Sequence, residues 1–334
     1  MNLNEEISLR GKLATDYLLE YGRKHINPED PLRQAALHYL KSGGKGFRPA
    51  MLQLVCGALG GDESKAIAPS AAIEALHVSS LIHDDYMDQD KIRRGVSAVW
   101  SEWDPTIAIL AGDVLSGIAF TIVGNVDGLA DDLKYTFTRE LAQIYTKLCE
   151  GQMYDISFET TPFEDLTQVD ITGMQYLKTG VLFEFSCITG ARLALKKTED
   201  PLIDLIREYA KLSGTAFQIQ DDLIGIIGDS KEIGKPVGSD ILTGKRTVIA
   251  VHAVTNGNER QRNILLETLG NRDASAEQID VCISTMEEIG SIQYAKLLAK
   301  DMAEKAIKLT AKLPQNFQTS LLAEFAKYMI ERNL

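Results

Sequence analysis

Apolar residues recur three and four positions apart along most of the chain, and this helical period constrains the fold more than any other feature. The run Glu74-Ala75-Leu76-His77-Val78-Ser79-Ser80-Leu81-Ile82 lies in one such stretch. Others span 105–124, 128–157, 168–195 and 201–227, and the pattern resumes in the C-terminal third. Start signals agree with these limits. Asp104-Pro105 and Asp200-Pro201 each place a capping carboxylate ahead of a proline suited to the first helical turn. Ser275-x-x-Gln278 reads as a capping box. Alternating β-branched runs are scarce. Thr247–Val254 is the ambiguous segment, and we read it as a buried helix. Helices of this length predict an all-α fold, a single large helical bundle around a deep central cavity.

No Pro/Gly/Ser-rich linker, composition break or fixed repeat divides the 334 residues, so one domain over 1–334 is expected. The net charge of −12 argues against a nucleic-acid partner, which needs a broad basic face. It also means that an anionic substrate must be held by local cations, either Lys/Arg or metal ions. Cys56, Cys149, Cys187 and Cys282 are far apart and form no C-x-x-C pair. They read as small, buried, reduced residues, which fits a cytoplasmic protein. The N-terminal MNLNEEISLRGK is polar and lacks the apolar core of a signal peptide. No uninterrupted apolar run reaches the ~18 residues of a membrane span, so no transmembrane segment is expected.

The strongest local signal is His83-Asp84-Asp85-Tyr86-Met87-Asp88, at the end of an apolar helical stretch. Asp84 and Asp88 are four apart, so on a helix their side chains meet about 5–6 Å from one another. Like charges at that spacing are either solvated or held by a cation. Magnesium suits the second case, because it takes oxygen ligands and binds through one or two carboxylates plus substrate phosphates. Arg93-Arg94-Gly95 follows within two turns, and guanidinium groups match phosphate oxygens in bidentate geometry. Self-neutralising surface salt bridges are the competing reading.

A second acidic cluster, Phe217-Gln218-Ile219-Gln220-Asp221-Asp222-Leu223-Ile224-Gly225, again ends a helical stretch. Gln218 stands one turn before both aspartates, and Asp229 two turns after Asp221. Lys235 and Lys245 then lie in the Gly-rich segment 234–247, which reads as a loop carrying ammonium groups toward phosphate. It is not a Walker motif, since the glycine spacing is wrong and no strand precedes it. Upstream, Ser42-Gly43-Gly44-Lys45-Gly46-Phe47-Arg48-Pro49 forms a basic turn before a helix start. Lys178-Thr179 sits in a mostly apolar helix, where the lysine either snorkels to solvent or reaches a phosphate.

In this order these motifs resemble the trans-isoprenyl diphosphate synthases (polyprenyl synthetases), including geranylgeranyl diphosphate synthases, and the pattern is closest to archaeal-type members. The resemblance runs from Gly43 to about Thr247. It implies two aspartate-rich helices facing one another across a deep cavity. It implies Asp84, Asp85 and Asp88, with Asp221 and Asp222, as the Mg2+ site. It makes Arg93, Lys178, Lys235 and Lys245 contacts to an allylic diphosphate, and Lys45, Arg48, His77 and Arg94 the pocket for isopentenyl diphosphate. Thr179 and Gln218, with Lys178, are implied at the reacting centre, helping to stabilise a carbocation. His83 is expected to be structural. A homodimer is implied by analogy.

Two positions depart from the family pattern. Gly46 replaces a frequent arginine, and Gly225 stands where the second acidic motif often ends in aspartate. The implied reaction is head-to-tail. The allylic diphosphate departs, the isopentenyl double bond attacks the cation, and a proton is lost to the released diphosphate. This needs no Ser/His or Cys/His pair. A terpene cyclase or head-to-head synthase of the same fold is one alternative; Lys45, Arg48 and His77 speak against it, because a simple cyclase needs no isopentenyl site. A non-catalytic subunit of a two-component synthase is another, and the intact carboxylates speak against that. Ser79 and Ser80, five and four positions before Asp84, are expected to leave a channel open to a growing chain, where short-chain relatives place bulky aromatics. Ala72, Ala75 and Leu76 form the next layer, with Phe120 a candidate for closing its end.

Overall fold

The computed structural model describes residues 2–127, 129–228 and 238–331. Among these, secondary structure is helical apart from one two-stranded hairpin, β1 Ile92–Arg93 with β2 Val96–Ser97. The first helices are α1 Leu3–His25, α2 Pro31–Ala36, α3 His38–Lys41, α4 Phe47–Ala58 and α5 Ile67–Met87. After the hairpin come α6 Val99–Glu102, α7 Pro105–Gly124, α8 Asp131–Thr160, α9 Gln168–Gln175, α10 Val181–Leu195 and α11 Pro201–Ile227. The remainder comprises α12 Ser239–Thr243, α13 Val248–Asn256, α14 Glu259–Thr268, α15 Ala276–Glu288, α16 Ser291–Thr310 and α17 Phe317–Glu331. The all-α expectation therefore holds, and so do its start signals. Asp104 accepts from Ile107 N–H at 2.9 Å, Asp200 from Leu202 N–H at 3.1 Å, and Ser275 with Gln278 closes a capping box. The ambiguous segment is helical, as α13.

The chain divides into two compact units. The first comprises Met1–Tyr145, Leu182–Arg207 and Leu313–Leu322, and the second Thr146–Val181, Glu208–Lys312 and Ala323–Leu334. Four of the five dividing points fall within α8, α10, α11 and α17, and the fifth, between Lys312 and Leu313, falls in the turn that joins α16 to α17.

In the first unit, α5 packs along α7 in antiparallel register. Ser79 Oγ meets Ser116 Oγ at 2.8 Å, and four residues further along α5 the His83 ring lies against Gly112, four residues earlier on α7. A Cβ on Gly112 would stand 2.1 Å from His83 Nε2, so this approach requires glycine. By length and composition α7 could cross a membrane, although the sequence expectation was of no such segment; half of its most apolar stretch is buried in the protein. Close approach also brings α10 onto α4, where a Cβ on Gly190 would lie 2.2 Å from the Leu52 carbonyl oxygen. The second unit is built on a core that includes Ile171, Ile219, Leu223, Ile226, Val248, Val251, Cys282 and Met286, all buried.

Because a backbone oxygen cannot swing aside, Gly190→Ala is expected to cost about 1–3 kcal/mol by overpacking. Gly173 on α9 has no atom within 4 Å of its missing Cβ. There, alanine should be neutral or stabilising by up to about 1 kcal/mol, the helix-propensity difference. Urea denaturation of the two variants checks the contrast.

Candidate active site

Each acidic cluster ends a long helix, but its two adjacent aspartates do not share an environment. On α5 the half-buried residues His77, Ser80, Leu81 and Asp84 form one face, and exposed Asp88 continues it as the C-cap, its N–H bonding to Asp84 O at 2.8 Å. Asp85 points elsewhere and is fully buried. Its carboxylate accepts from the Tyr39 hydroxyl and, at 2.7 Å, from Arg93 Nε. Arg93 reaches it because the chain folds back after α5. Gln89, Arg94 and Gly95 all adopt positive φ, and the last two form the tight turn of the hairpin. The arginines therefore stand on a hairpin rather than on a continued helix.

The hairpin turn also brings Arg94 to the basic loop, where Arg94 Nη1 donates to Gly43 O at 2.7 Å. In that loop Lys45 Nζ lies 5.9 Å from the Phe47 ring centroid. Arg48 Nη1 stands 3.3 Å from His77 Nε2. Lys45, Arg48, His77 and Arg94 thus belong to one neighbourhood of the first unit, together with the buried Glu74 one turn before His77. Burial, then the nearby Arg48, Arg94 and Arg93, hold the His77 imidazole well below its ordinary pKa, so the ring accepts from Arg48. Gly46 explains itself here. It has φ +62°, and a Cβ would lie 2.8 Å from Gly11 Cα, which leaves no room for the arginine frequent at this position. His83 is committed to α7, with its Nε2 3.0 Å from Ile109 O.

In the second unit α11 repeats the arrangement. Asp221 is half-buried, whereas Asp222 is buried and accepts from Gln175 Nε2 at 2.7 Å and Lys245 Nζ at 3.0 Å. Lys245 also stands 3.4 Å from Asp240. Partial burial works against its charge, but the two carboxylates outweigh this and hold it protonated above the usual lysine range. Gly225 is again a matter of space, since a Cβ would stand 2.3 Å from Asp240 Oδ2. Asp240 brings a carboxylate to the place where the motif's third aspartate is lacking. The sequence held one signal for it, the departure at Gly225.

Lys178 and Thr179 lie in a single π turn, Tyr176–Gly180, that joins α9 to α10 where one uninterrupted helix was expected. Such turns rotate side chains out of the helical register and recur at functional sites. Lys178 pairs with Asp155 of α8 at 2.6 Å. Gln218 lines a small hollow with Thr172, Gln175, Tyr176 and Thr215. Lys235 and Asp229 lie outside the described residues.

Asp85 and Asp222, expected at the metal site, are buried, and their carboxylates accept from Tyr39 and Arg93 and from Gln175 and Lys245 respectively. Ser79 does not border an open channel; it is fully buried against Ser116, and only Ser80 lies on the half-exposed face, its Oγ donating to His77 O at 2.8 Å. Phe120 packs edge-on against Tyr145, with ring centroids 6.2 Å apart. Among the described residues no group of three or more His, Cys, Asp and Glu makes a ready metal cage. Asp84 and Asp88 on one face, and Asp221 on another, are hard oxygen donors of the kind magnesium takes when phosphates complete its shell.

The polyprenyl synthetase profile matches residues 29–286. The chain belongs to the polyprenyl synthetase family. It is 38% identical to a geranylgeranyl pyrophosphate synthase of Geoglobus acetivorans over 99% of both chains. Identity to a geranylfarnesyl diphosphate synthase of Natronomonas pharaonis is 34%, over 92% of each chain. Among solved structures, geranylgeranyl pyrophosphate synthetase from Pyrococcus horikoshii superposes with a TM-score of 0.91 at 35% identity, covering 99% of this synthetase and 98% of that one.

The state of His77 carries a pH dependence. Its folded pKa lies below the unfolded value near 6.5, so the unfolded chain binds the proton first. The stability it contributes is complete above that value and is lost as pH falls through it, by at most about 1.4 kcal/mol per pH unit. His77→Gln keeps an acceptor for Arg48 and removes the titration. Its urea midpoint should decline less than that of the wild type between pH 7 and pH 5.

Proposed function

We propose that this chain is a magnesium-dependent prenyltransferase that condenses isopentenyl diphosphate head to tail with an allylic prenyl diphosphate, giving a linear polyprenyl diphosphate of twenty carbons or longer. The observation that carries the reading is the repeat of one device in both units. A half-buried carboxylate, Asp84 or Asp221, adjoins a fully buried one, Asp85 or Asp222, that holds a cation, Arg93 or Lys245. Anionic and cationic groups held side by side suit a metal–diphosphate complex better than either sign alone.

Asp84, Asp88 and Asp221 would hold magnesium, which when bound stabilises charge developing on the departing diphosphate. Arg93, Lys178 and Lys245 hold that diphosphate, as does Lys235. Lys45, Arg48, His77 and Arg94 hold the diphosphate of isopentenyl diphosphate, with His77 kept neutral so that it directs Arg48. Thr179 and Gln218 present polar atoms to the allylic cation. The proton lost after the double bond attacks goes to the released diphosphate, so no protein base is required. The whole chain acts as one catalytic domain. The unbridged cysteines, of which Cys56, Cys187 and Cys282 are buried and Cys149 is exposed where burial was expected, suit a reducing cytoplasm, and exposed Ile109 and Leu110 on α7 support a homodimer.

Purified protein with labelled isopentenyl diphosphate, an allylic primer and magnesium tests the reaction, and chelation should abolish it. A cyclase would consume the primer without incorporating label, and a non-catalytic subunit would do neither. Asp84→Ala and Asp221→Ala should each lower turnover on the order of 10²–10³-fold while folding normally. Arg48→Ala should raise the KM for isopentenyl diphosphate by roughly 1.5–3 kcal/mol in binding and leave the allylic KM nearly unchanged. Full activity in a folded Asp84→Ala protein would sink the assignment. Since Ser80 and not Ser79 lies on the open face, Ser80→Phe is expected to shorten the products, as read by chromatography after dephosphorylation. Ser79→Phe should instead destabilise the contact with α7.

A further inference from the structure

We infer that Tyr39 is a positioning residue for the allylic substrate: its hydroxyl fixes Asp85, and Asp85 in turn aims Arg93 at the diphosphate. The inference rests on the reading of Arg93 given above. Tyr39 belongs to no charged motif, and its ring is fully buried. The hydroxyl does two things at once. It donates to Asp85 Oδ2 at 2.5 Å and accepts from Val99 N–H at 3.1 Å. The first bond joins α3 to the end of α5, and the second ties both to the start of α6 beyond the hairpin.

Each oxygen of Asp85 therefore has its own anchor. One faces Tyr39, and the other accepts from Arg93 Nε at 2.7 Å. The Asp85 side chain has no exposed surface, while Arg93 keeps 28% of its own. Burial and the Asp85 carboxylate push the phenol well above its ordinary pKa, so it stays a donor. Asp90, 3.6 Å from Arg93, is too exposed to fix the guanidinium alone. Without the hydroxyl, Asp85 Oδ2 has no donor. The carboxylate can then turn about its last side-chain bond, and Arg93 loses its direction.

Tyr39→Phe keeps the ring and removes the relay. Steady-state kinetics with each substrate varied in turn should show the allylic KM raised roughly three- to tenfold and the isopentenyl KM within about twofold of wild type. Arg93→Ala should raise the allylic KM further, and adding Tyr39→Phe to it should change nothing more. Asp85→Asn serves as a second variant should Tyr39→Phe fail to fold, with the same split expected. A Tyr39→Phe protein with a lower melting temperature but unchanged allylic KM would show mere packing and overturn the inference. So would equal rises in both KM values, or additivity with Arg93→Ala. If Arg93→Ala itself leaves the allylic KM unchanged, the reading of Arg93 fails and the inference falls with it. If only Tyr39→Phe is silent, the inference alone falls.

Discussion

A carboxylate taken out of water must be paired, and this requirement organises both acidic ends of the molecule. Asp85 and Asp222 are buried, so each draws donors to itself: Tyr39 and Arg93 in one case, Gln175 and Lys245 in the other. Breaking either pair from the cationic side would leave an uncompensated buried charge, which is costly. The cations are thereby fixed next to Asp84 and Asp221, the half-buried aspartates. Adjacent aspartates on a helix point about 100° apart, which is why a doubled aspartate yields one inward and one outward carboxylate.

Much of this was legible in the sequence, and for definite reasons. Helices whose apolar period runs for five turns or more leave little freedom, and the caps at Asp104, Asp200 and Ser275 end where propensity says they should. Chemistry concentrated in a few motifs was visible too. The short irregularities that aim the side chains were hidden. Two-residue strands are too short to show alternation, so the hairpin that carries Arg93 and Arg94 left no sign in the sequence. The π turn at 176–180 adds no special residue, and composition cannot reveal it.

Facing was the other loss. Ser79 and Ser80 are neighbours in sequence with the same chemistry, yet one is sealed against Ser116 and the other lies on the face of Asp84. Only the partner helix decides between them, and no local rule supplies its position. The same holds for Gly46 and Gly225. They look like missing charges in a motif and prove to be spaces filled by Gly11 and by Asp240.

Pairs anchored on buried carboxylates also respond differently to ionic strength from those on the outer helices. Lys12–Asp16, Lys24–Glu20 and Lys305–Asp301 are solvent-exposed bridges one turn apart, of a kind worth a few tenths of a kcal/mol that added salt erases. The carboxylates of Asp85 and Asp222 are buried, so their pairs are screened much less. Concentrated electrolyte would strip the surface of its ion pairs while Arg93 and Lys245 kept their places.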